Sequence, residues 1–266
     1  MSTVLESIIE GVLEDVRARE ISIKEMYSRL DSAKPLRGAQ SRLAAPTEGD
    51  IHVIAEVKRS SPSKGELAAI SDPAALAAAY QEGGATVVSV LTEERRFKGS
   101  MKDFELVRSE IDIPMLRKDF IVTEFQVVES RLLGADLLLL IVAGLSKSQL
   151  VDFYQLSTEL GMDILVEIHD ERELETAVDL GAQIIGINSR NLKTLDVDTH
   201  AFDRLIPMVP ADRIKVAESG IRLASEVDHL RELGAQAILV GETLVKSGTP
   251  AKAINQLLGR GGAGTF

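Results

Sequence analysis

Gly181-Ala182-Gln183-Ile184-Ile185-Gly186-Ile187-Asn188-Ser189-Arg190 is the stretch that decides the fold of this chain. Glycine is the residue that most readily takes the left-handed turn just past a helix end, so Gly181 predicts a helix handing over to the segment that follows. That segment is a short apolar run, Ile184 to Ile187, greasy on both faces as a strand buried in a parallel sheet must be. It stops on an amide, a hydroxyl and a cation. These ten residues therefore contain one complete helix-to-strand junction and the polar exit of its strand.

The same order recurs along the chain. Gly84-Ala85, Gly134-Ala135, Gly161-Met162 and Gly234-Ala235 each precede an apolar run, and successive glycines from Gly84 to Gly234 stand 50, 27, 20 and 53 residues apart. The long intervals are about twice the short ones, which fits a unit of roughly 25 residues in which some junctions lack the glycine. His52 to Gly259 has room for eight units. Eight alternating strands and helices predict a (β/α)8 TIM barrel, a fold of roughly 250 residues. The predicted strands are 52–58, 85–91, 113–117, 136–142, 163–168, 183–188, 214–218 and 236–241. Helix starts are predicted at Asp72-Pro73 and, from capping-box spacing, at Thr123 with Gln126, Ser146 with Gln149 and Asp170 with Glu173. An open doubly wound sheet is the alternative. It needs a glycine-rich nucleotide turn after the first strand, where Glu56 to Gly65 offers one glycine.

With 266 residues and 45% hydrophobic content, the chain can bury one sizeable core. The economical division is an N-terminal helical extension and connector over 1–50, a catalytic barrel over 51–259 and a flexible glycine-rich tail over 260–266. A net charge of −11 argues against nucleic acid or an anionic membrane as the main partner, since both require clustered Lys and Arg. There is no cysteine, hence no thiolate nucleophile, disulfide or cysteine metal ligand. Glu6, Glu10, Glu14 and Asp15 rule out an apolar secretory segment, and no run reaches membrane-spanning length, so a cytoplasmic monomer is expected.

Val4, Leu5, Ile8, Ile9, Val12, Leu13 and Val16 recur at helical spacing and predict a helix packed on the outside or an end of the barrel, with a lid as the sharper reading. The aperiodic connector from Ser32 to Asp50 carries Lys34, Arg37 and Arg42. It is expected to reach over the rim and help hold an anion.

Seven of the apolar runs end on acid, base or amide residues, and in a closed barrel such exits share one mouth. Glu56 and Lys58, two apart on one strand, leave the same face. Lys118 follows the third run, Glu167 ends the fifth, Asn188 and Arg190 the sixth, and Glu218 the seventh. Burial beside opposite charges moves such groups toward the working pH range, which suits proton transfer; a structural ring of salt bridges is the competing reading. Glu218-Ser219-Gly220 and Gly241-Glu242-Thr243 place backbone amides at the last two exits, where barrels of this kind hold phosphate, and Lys58 is positioned to complete that cradle. Leu91, Phe97, Phe120 and Leu139 form an apolar platform for a flat ligand part. His52, His169, His200 and His229 show no metal-binding spacing, so no metal site is expected. Ser60, Ser61 and Ser63 have no triad histidine and read as a loop. Together these features point to an aromatic phosphate ester undergoing proton-transfer chemistry.

Ile54-Ala55-Glu56-Val57-Lys58-Arg59-Ser60-Ser61-Pro62-Ser63-Lys64-Gly65 closely resembles the signature of the indole-3-glycerol phosphate synthase family. The resemblance extends through Leu116-Arg117-Lys118-Asp119-Phe120, Val166-Glu167, Gly186 to Leu192, Ala217 to Ile221 and Leu239 to Glu242, spanning about residues 50 to 255. It implies a (β/α)8 enzyme, without cofactor, that converts 1-(2-carboxyphenylamino)-1-deoxyribulose 5-phosphate to indole-3-glycerol phosphate with loss of carbon dioxide and water. By that resemblance Lys118 is the acid that activates the carbonyl, while Glu167 and Glu56 handle later proton transfer and dehydration. Lys58 binds phosphate and shares the acid role, and Gly220, Gly241 and Glu242 complete the phosphate site. Asn188 and Ser219 orient hydroxyls and carboxylate, Arg190 and Glu218 set the electrostatics, and Ser61, Leu91, Phe97, Phe120 and Leu139 hold the substrate.

Other readings remain at this stage. A phosphoribosylanthranilate isomerase-like barrel uses a Cys and Asp pair, and this chain has no cysteine. A Schiff-base aldolase barrel would also use a rim lysine. A non-catalytic phosphosugar-binding protein would keep the phosphate residues and have no need of Glu167.

Overall fold

The structure is a computed structural model and describes residues 3–47, 51–192, 194–198 and 200–260. Eight parallel strands close into a barrel: β1 (His52–Val57), β2 (Val87–Leu91), β3 (Met115–Lys118), β4 (Leu137–Ile141), β5 (Asp163–Ile168), β6 (Ile184–Asn188), β7 (Ile214–Glu218) and β8 (Ala237–Val240). Neighbours in sequence are neighbours in the barrel, and β1 closes it by pairing with both β2 and β8. This is the (β/α)8 architecture expected from the glycine spacing, with strand limits within about two residues of those expected. Gly84, Gly134, Gly161, Gly181 and Gly234 all have positive φ. The junctions before β3 and β7 lack the glycine and carry Pro114 and Pro210, which end a helix by a different route.

Helices α4 (Pro73–Glu82), α5 (Met101–Glu110), α6 (Glu124–Leu133), α7 (Lys147–Glu159), α8 (Glu171–Leu180), α9 (Ala201–Leu205) and α10 (Ala224–Glu232) connect successive strands. The short α11 (Glu242–Val245) and α12 (Pro250–Leu257) follow β8. Asp72, Thr123, Ser146 and Asp170 are the N-caps anticipated. Only Ser146 with Gln149 closes a full capping box among those three spaced pairs. In the other two the return carboxamide or carboxylate reaches one residue further back, Gln126 to the Val122 amide and Glu173 to the His169 amide.

Two apolar layers hold this framework. Outward-facing strand residues such as Val88, Leu138, Val166 and Ile187 pack under the helices. Inward-facing Ile54, Val87, Leu116, Leu137, Leu165, Ile184, Val216 and Leu239 fill the lumen, in one cluster with residues of the N-terminal helices.

That extension covers both ends of the barrel. Helix α1 (Val4–Arg19) lies at the rim, burying Leu5, Ile8, Val12 and Val16. It is tied down where Arg95, in the loop after β2, pairs with Asp15 and Glu14, and where Arg19 pairs with Glu129 of α6. Gly11 lets Arg95 cross the helix, since a Cβ there would sit 3.0 Å from its Cδ. The chain then passes α2 (Ile23–Ser28), packed on α6, and descends to the opposite end of the barrel.

The connector therefore corrects the expectation that it overhangs the rim and holds an anion. Its backbone amides seek acceptors and find carboxylates at the strand starts: Arg37 N donates to Asp136 at 2.7 Å, and Gln40 N to Asp163 at 2.8 Å. The Arg37 guanidinium is taken up by the Ile113 and Arg108 carbonyls. Helix α3 (Ala39–Ala44) then sets Leu43, 1% exposed, in the apolar cluster that fills the lumen. Residues 48–50 and the tail 261–266, where flexibility was expected, lie outside the described residues.

Candidate active site

Strand exits separated by up to 185 residues, Glu56 to Gly241, line one pocket at the carboxyl end of the barrel. Every site residue singled out in the sequence lines it: Glu56, Lys58, Ser61, Leu91, Phe97, Lys118, Phe120, Leu139, Glu167, Asn188, Arg190, Glu218, Ser219, Gly220, Gly241 and Glu242. Its walls also take in Ile8 from the apolar stripe of α1, Leu192 at the end of the Gly186–Leu192 stretch, and Leu195 and Arg222 of the rim loops; the last two carried no sequence signal because loop residues follow no period.

A charged cluster occupies the centre. Lys118 Nζ lies 2.8 Å from Glu167 Oε2 and 3.3 Å from Glu218 Oε2, and Lys58 pairs with Glu56. The three carboxylates are each no more than 2% exposed. Burial works to discharge Lys118, but Glu167, Glu218 and Glu56 outweigh it and hold the ammonium well above the ordinary lysine range. Burial also opposes the Glu167 charge, yet Lys118 and His169 overcome it and keep this carboxyl well below its usual range. Glu218 moves the other way. Burial, reinforced by Glu167 and Glu56, pushes its carboxyl up to about 8 against the pull of Lys118. The expectation that burial beside opposite charges brings such groups into the working pH range therefore holds, of these three, for Glu218 alone; Lys118 and Glu167 move away from it, because an opposite charge favours the charged form of each.

Two glycines make room for these acids. A Cβ on Gly186 would collide with the Glu218 carboxylate, and one on Gly241 with that of Glu56. Gly186 is the more instructive, because a glycine inside a strand usually marks weak sheet or close approach, and here the approach is by a side chain from β7.

At the last two exits, Ser219 and Gly220 both have positive φ, at 71° and 77°. Ser219 is sterically strained in that conformation, and such strain concentrates at functional turns. The turn is held from β6, where Ser189 Oγ donates to the Ser219 carbonyl at 3.2 Å. Glu242 stands opposite, bound by Lys64 from the loop after β1 and by Lys246. Burial opposes its charge, but these two lysines hold its carboxyl down at about 2. Lys58 is engaged by Glu56.

On the other side of the mouth, Phe97 and Phe120 meet in a tilted pair with centroids 6.1 Å apart. Glu93 orders the loop that carries Phe97 by accepting from the amides of Arg95, Arg96 and Phe97. Asn188 Oδ1 accepts from the Arg190 amide, and the Arg190 guanidinium holds the Leu195 carbonyl, so both side chains also brace the loop after β6. Away from the rim, His52 bonds Thr86 and the Ala45 carbonyl, as its place at a strand start predicts.

A closed barrel with a charged pocket at its strand exits defines the class, a (β/α)8-barrel enzyme. The family model described as "Indole-3-glycerol phosphate synthase" matches residues 5–257. The chain is 53% identical to the indole-3-glycerol phosphate synthase of Paenarthrobacter aurescens, over 98% of this chain and 97% of that protein. It is 51% identical to that of Mycolicibacterium smegmatis, over 98% and 95%. The chain belongs to the indole-3-glycerol phosphate synthase family, whose members are carboxy-lyases of tryptophan biosynthesis. Among solved structures, KGPDC from Streptococcus mutans superposes with a TM-score of 0.62 at 10% identity, covering 79% of this chain and 96% of that one. The 3-hexulose-6-phosphate synthase from Salmonella typhimurium gives 0.58 at 13%, covering 79% and 97%. These two share the fold.

Proposed function

We propose that this pocket closes the indole ring of 1-(2-carboxyphenylamino)-1-deoxyribulose 5-phosphate with loss of carbon dioxide and water, and that residues 51–259 form the catalytic unit. The observation that carries the reading is Lys118, an ammonium held among Glu167, Glu218 and Glu56 beside an aromatic platform.

Lys118 donates to the substrate's ketone oxygen. As the ring carbon bearing the carboxylate attacks the ketone carbon, charge develops on that oxygen, and a preorganised cation in a buried site stabilises it most at that moment. The alkoxide so formed is a stronger base than the lysine amine, so the proton passes to it and leaves a hydroxyl. Carbon dioxide then departs from the ring carbon, and its bonding electrons restore aromaticity. Glu167 and Glu56 serve the second half, in which the hydroxyl leaves as water while the neighbouring carbon gives up its proton. Phe97, Phe120, Leu91 and Leu139 hold the anthranilate ring by apolar contact. Asn188, Ser219 and Ser61 orient substrate oxygens, and Arg190 and Glu218 set the field around them.

The phosphate is assigned to the backbone amides at Ser219-Gly220 and Gly241-Glu242, with Lys58 at hand. Glu242 takes part through its main chain, since its carboxylate is committed to Lys64 and Lys246. The extension over 1–50 supplies Ile8 to the pocket wall.

We assign the active form to a cytoplasmic monomer. What supports this reading is the spread of the exposed large apolar residues: Ile23 and Tyr27 share the short α2, while Leu106, Val151, Val197, Met208 and Leu223 lie on other, separate segments. No helix among the described residues is long and apolar enough to cross a membrane.

Conversion of the purified ester by the wild-type chain tests the reading. Indole fluorescence should rise with release of one carbon dioxide per product, at the same rate with and without EDTA. A protein that binds the ester and leaves it unchanged would overturn it.

A further inference from the structure

His169 is a half-buried titratable group, its side chain 11% exposed, that the reaction as derived does not use. It lies two residues beyond Glu167 on the β5 exit, so both side chains leave the same face. Its ring is clamped from both sides. Nδ1 stands 3.0 Å from Glu173 Oε2 of α8, the oxygen that also accepts the His169 amide at 2.9 Å. Nε2 stands 3.3 Å from Glu167 Oε1. Nε2 and Glu167 Oε1 are both shielded from solvent and neither has a conventional hydrogen-bond partner, so at 3.3 Å each is the polar group at hand for the other.

The tautomer follows from this geometry. A carboxylate oxygen only accepts, so the Glu173 contact requires a proton on Nδ1. A neutral ring would then set the Nε2 lone pair against the lone pairs of Glu167, and with both atoms shielded from solvent that repulsion is poorly screened. A proton on Nε2 turns the same contact into an ion pair.

We propose that His169 is a positioning residue for the ring-closure reaction: as an imidazolium anchored by Glu173, it pins Glu167 Oε1 and holds that carboxylate ionised, with Oε2 facing Lys118. The inference rests on the function proposed above and adds to it the group that sets the state of its principal carboxylate. Glu167 then sits between two cations, Lys118 on one oxygen and His169 on the other. The charged groups facing His169 are Glu167 from its own strand and Glu173 from α8; Lys118 acts on it through Glu167. Burial disfavours the ring's charge, but the two glutamates prevail and raise its pKa to about 10.

Proton and nitrogen NMR of the wild-type ring tests this directly, with His169→Gln used to assign the signal. Both ring nitrogens should be protonated at neutral pH, with a midpoint well above the ordinary 6.5. A ring that is neutral at pH 7 overturns the inference. In the pH profile of kcat/KM, His169→Gln should move the acid limb up by about one unit or more. His169→Lys, which keeps a cation, should move it back, and Glu173→Gln should shift it in the same direction as His169→Gln. A fall that is uniform across pH, with the limb in place, would make His169 merely structural. If the variants fail to fold, the wild-type titration alone decides. Wild-type turnover with a neutral His169 defeats only this inference, whereas absence of wild-type turnover defeats the proposed function.

Discussion

At the scale of single residues, the site depends as much on what is missing as on what is present. Gly186 has no side chain, and the space it leaves is taken by the Glu218 carboxylate. Gly186→Ala should therefore displace that group from Lys118 while the barrel still folds, because the flexible end of a glutamate yields more readily than backbone. A displacement near 1 Å costs on the order of 100-fold in rate. Steady-state kinetics beside an unchanged circular dichroism spectrum will check this, and full activity would show that Glu218 needs no fixed place.

His169 carries a pH-dependent stability of definite sign. Its folded pKa is raised from 6.5 to about 10, so its contribution is complete below about pH 6.5 and is lost as pH rises through about 10. The melting-temperature advantage of wild type over His169→Gln should be largest near pH 6, shrink as pH rises from about 6.5 to about 10, and be gone above that. An advantage that grows with pH would contradict the ion pair with Glu167. The acids and bases of the pocket were legible because each ends an apolar run. Gly186 and His169 were not, since the reason for each is a neighbour from another strand or helix.

At the scale of elements, the N-terminal extension divides its work between the two ends of the barrel. Helix α1 was legible from its apolar stripe, and its acidic residues Glu14 and Asp15 meet Arg95 at the rim. The connector was not. Its basic residues suggested an anion, yet its path is set by backbone amides donating to Asp136 and Asp163 at the strand starts. No side-chain pattern encodes such bonds. Because α3 buries Leu43 almost completely, Leu43→Ala should cost about 2–5 kcal/mol of stability. Urea unfolding will measure that cost, and kcat/KM below the transition should stay near wild type because the pocket lies at the opposite end. A loss of activity without a loss of stability would mean that α3 belongs to the site.

At the scale of the whole molecule, the glycine spacing sufficed for the closed barrel, because each left-handed glycine reports a helix end whatever its tertiary surroundings. Pro114 and Pro210 mark the two junctions where that signal is absent, which is why the intervals doubled there. Closure then gathers eight strand exits into one pocket, and for the monomer proposed above sedimentation equilibrium should return the mass of a single chain. A dimer required for activity would contradict that account.

The most direct test of the central claim compares substrate binding with turnover in Lys118→Met and Glu167→Gln. If the charged centre performs the chemistry while the phosphate turns and the aromatic platform do the holding, calorimetry will find the ester bound with affinity near wild type. Indole formation will be lost in Lys118→Met and severely reduced in Glu167→Gln. Turnover at the wild-type rate in either variant would contradict the account.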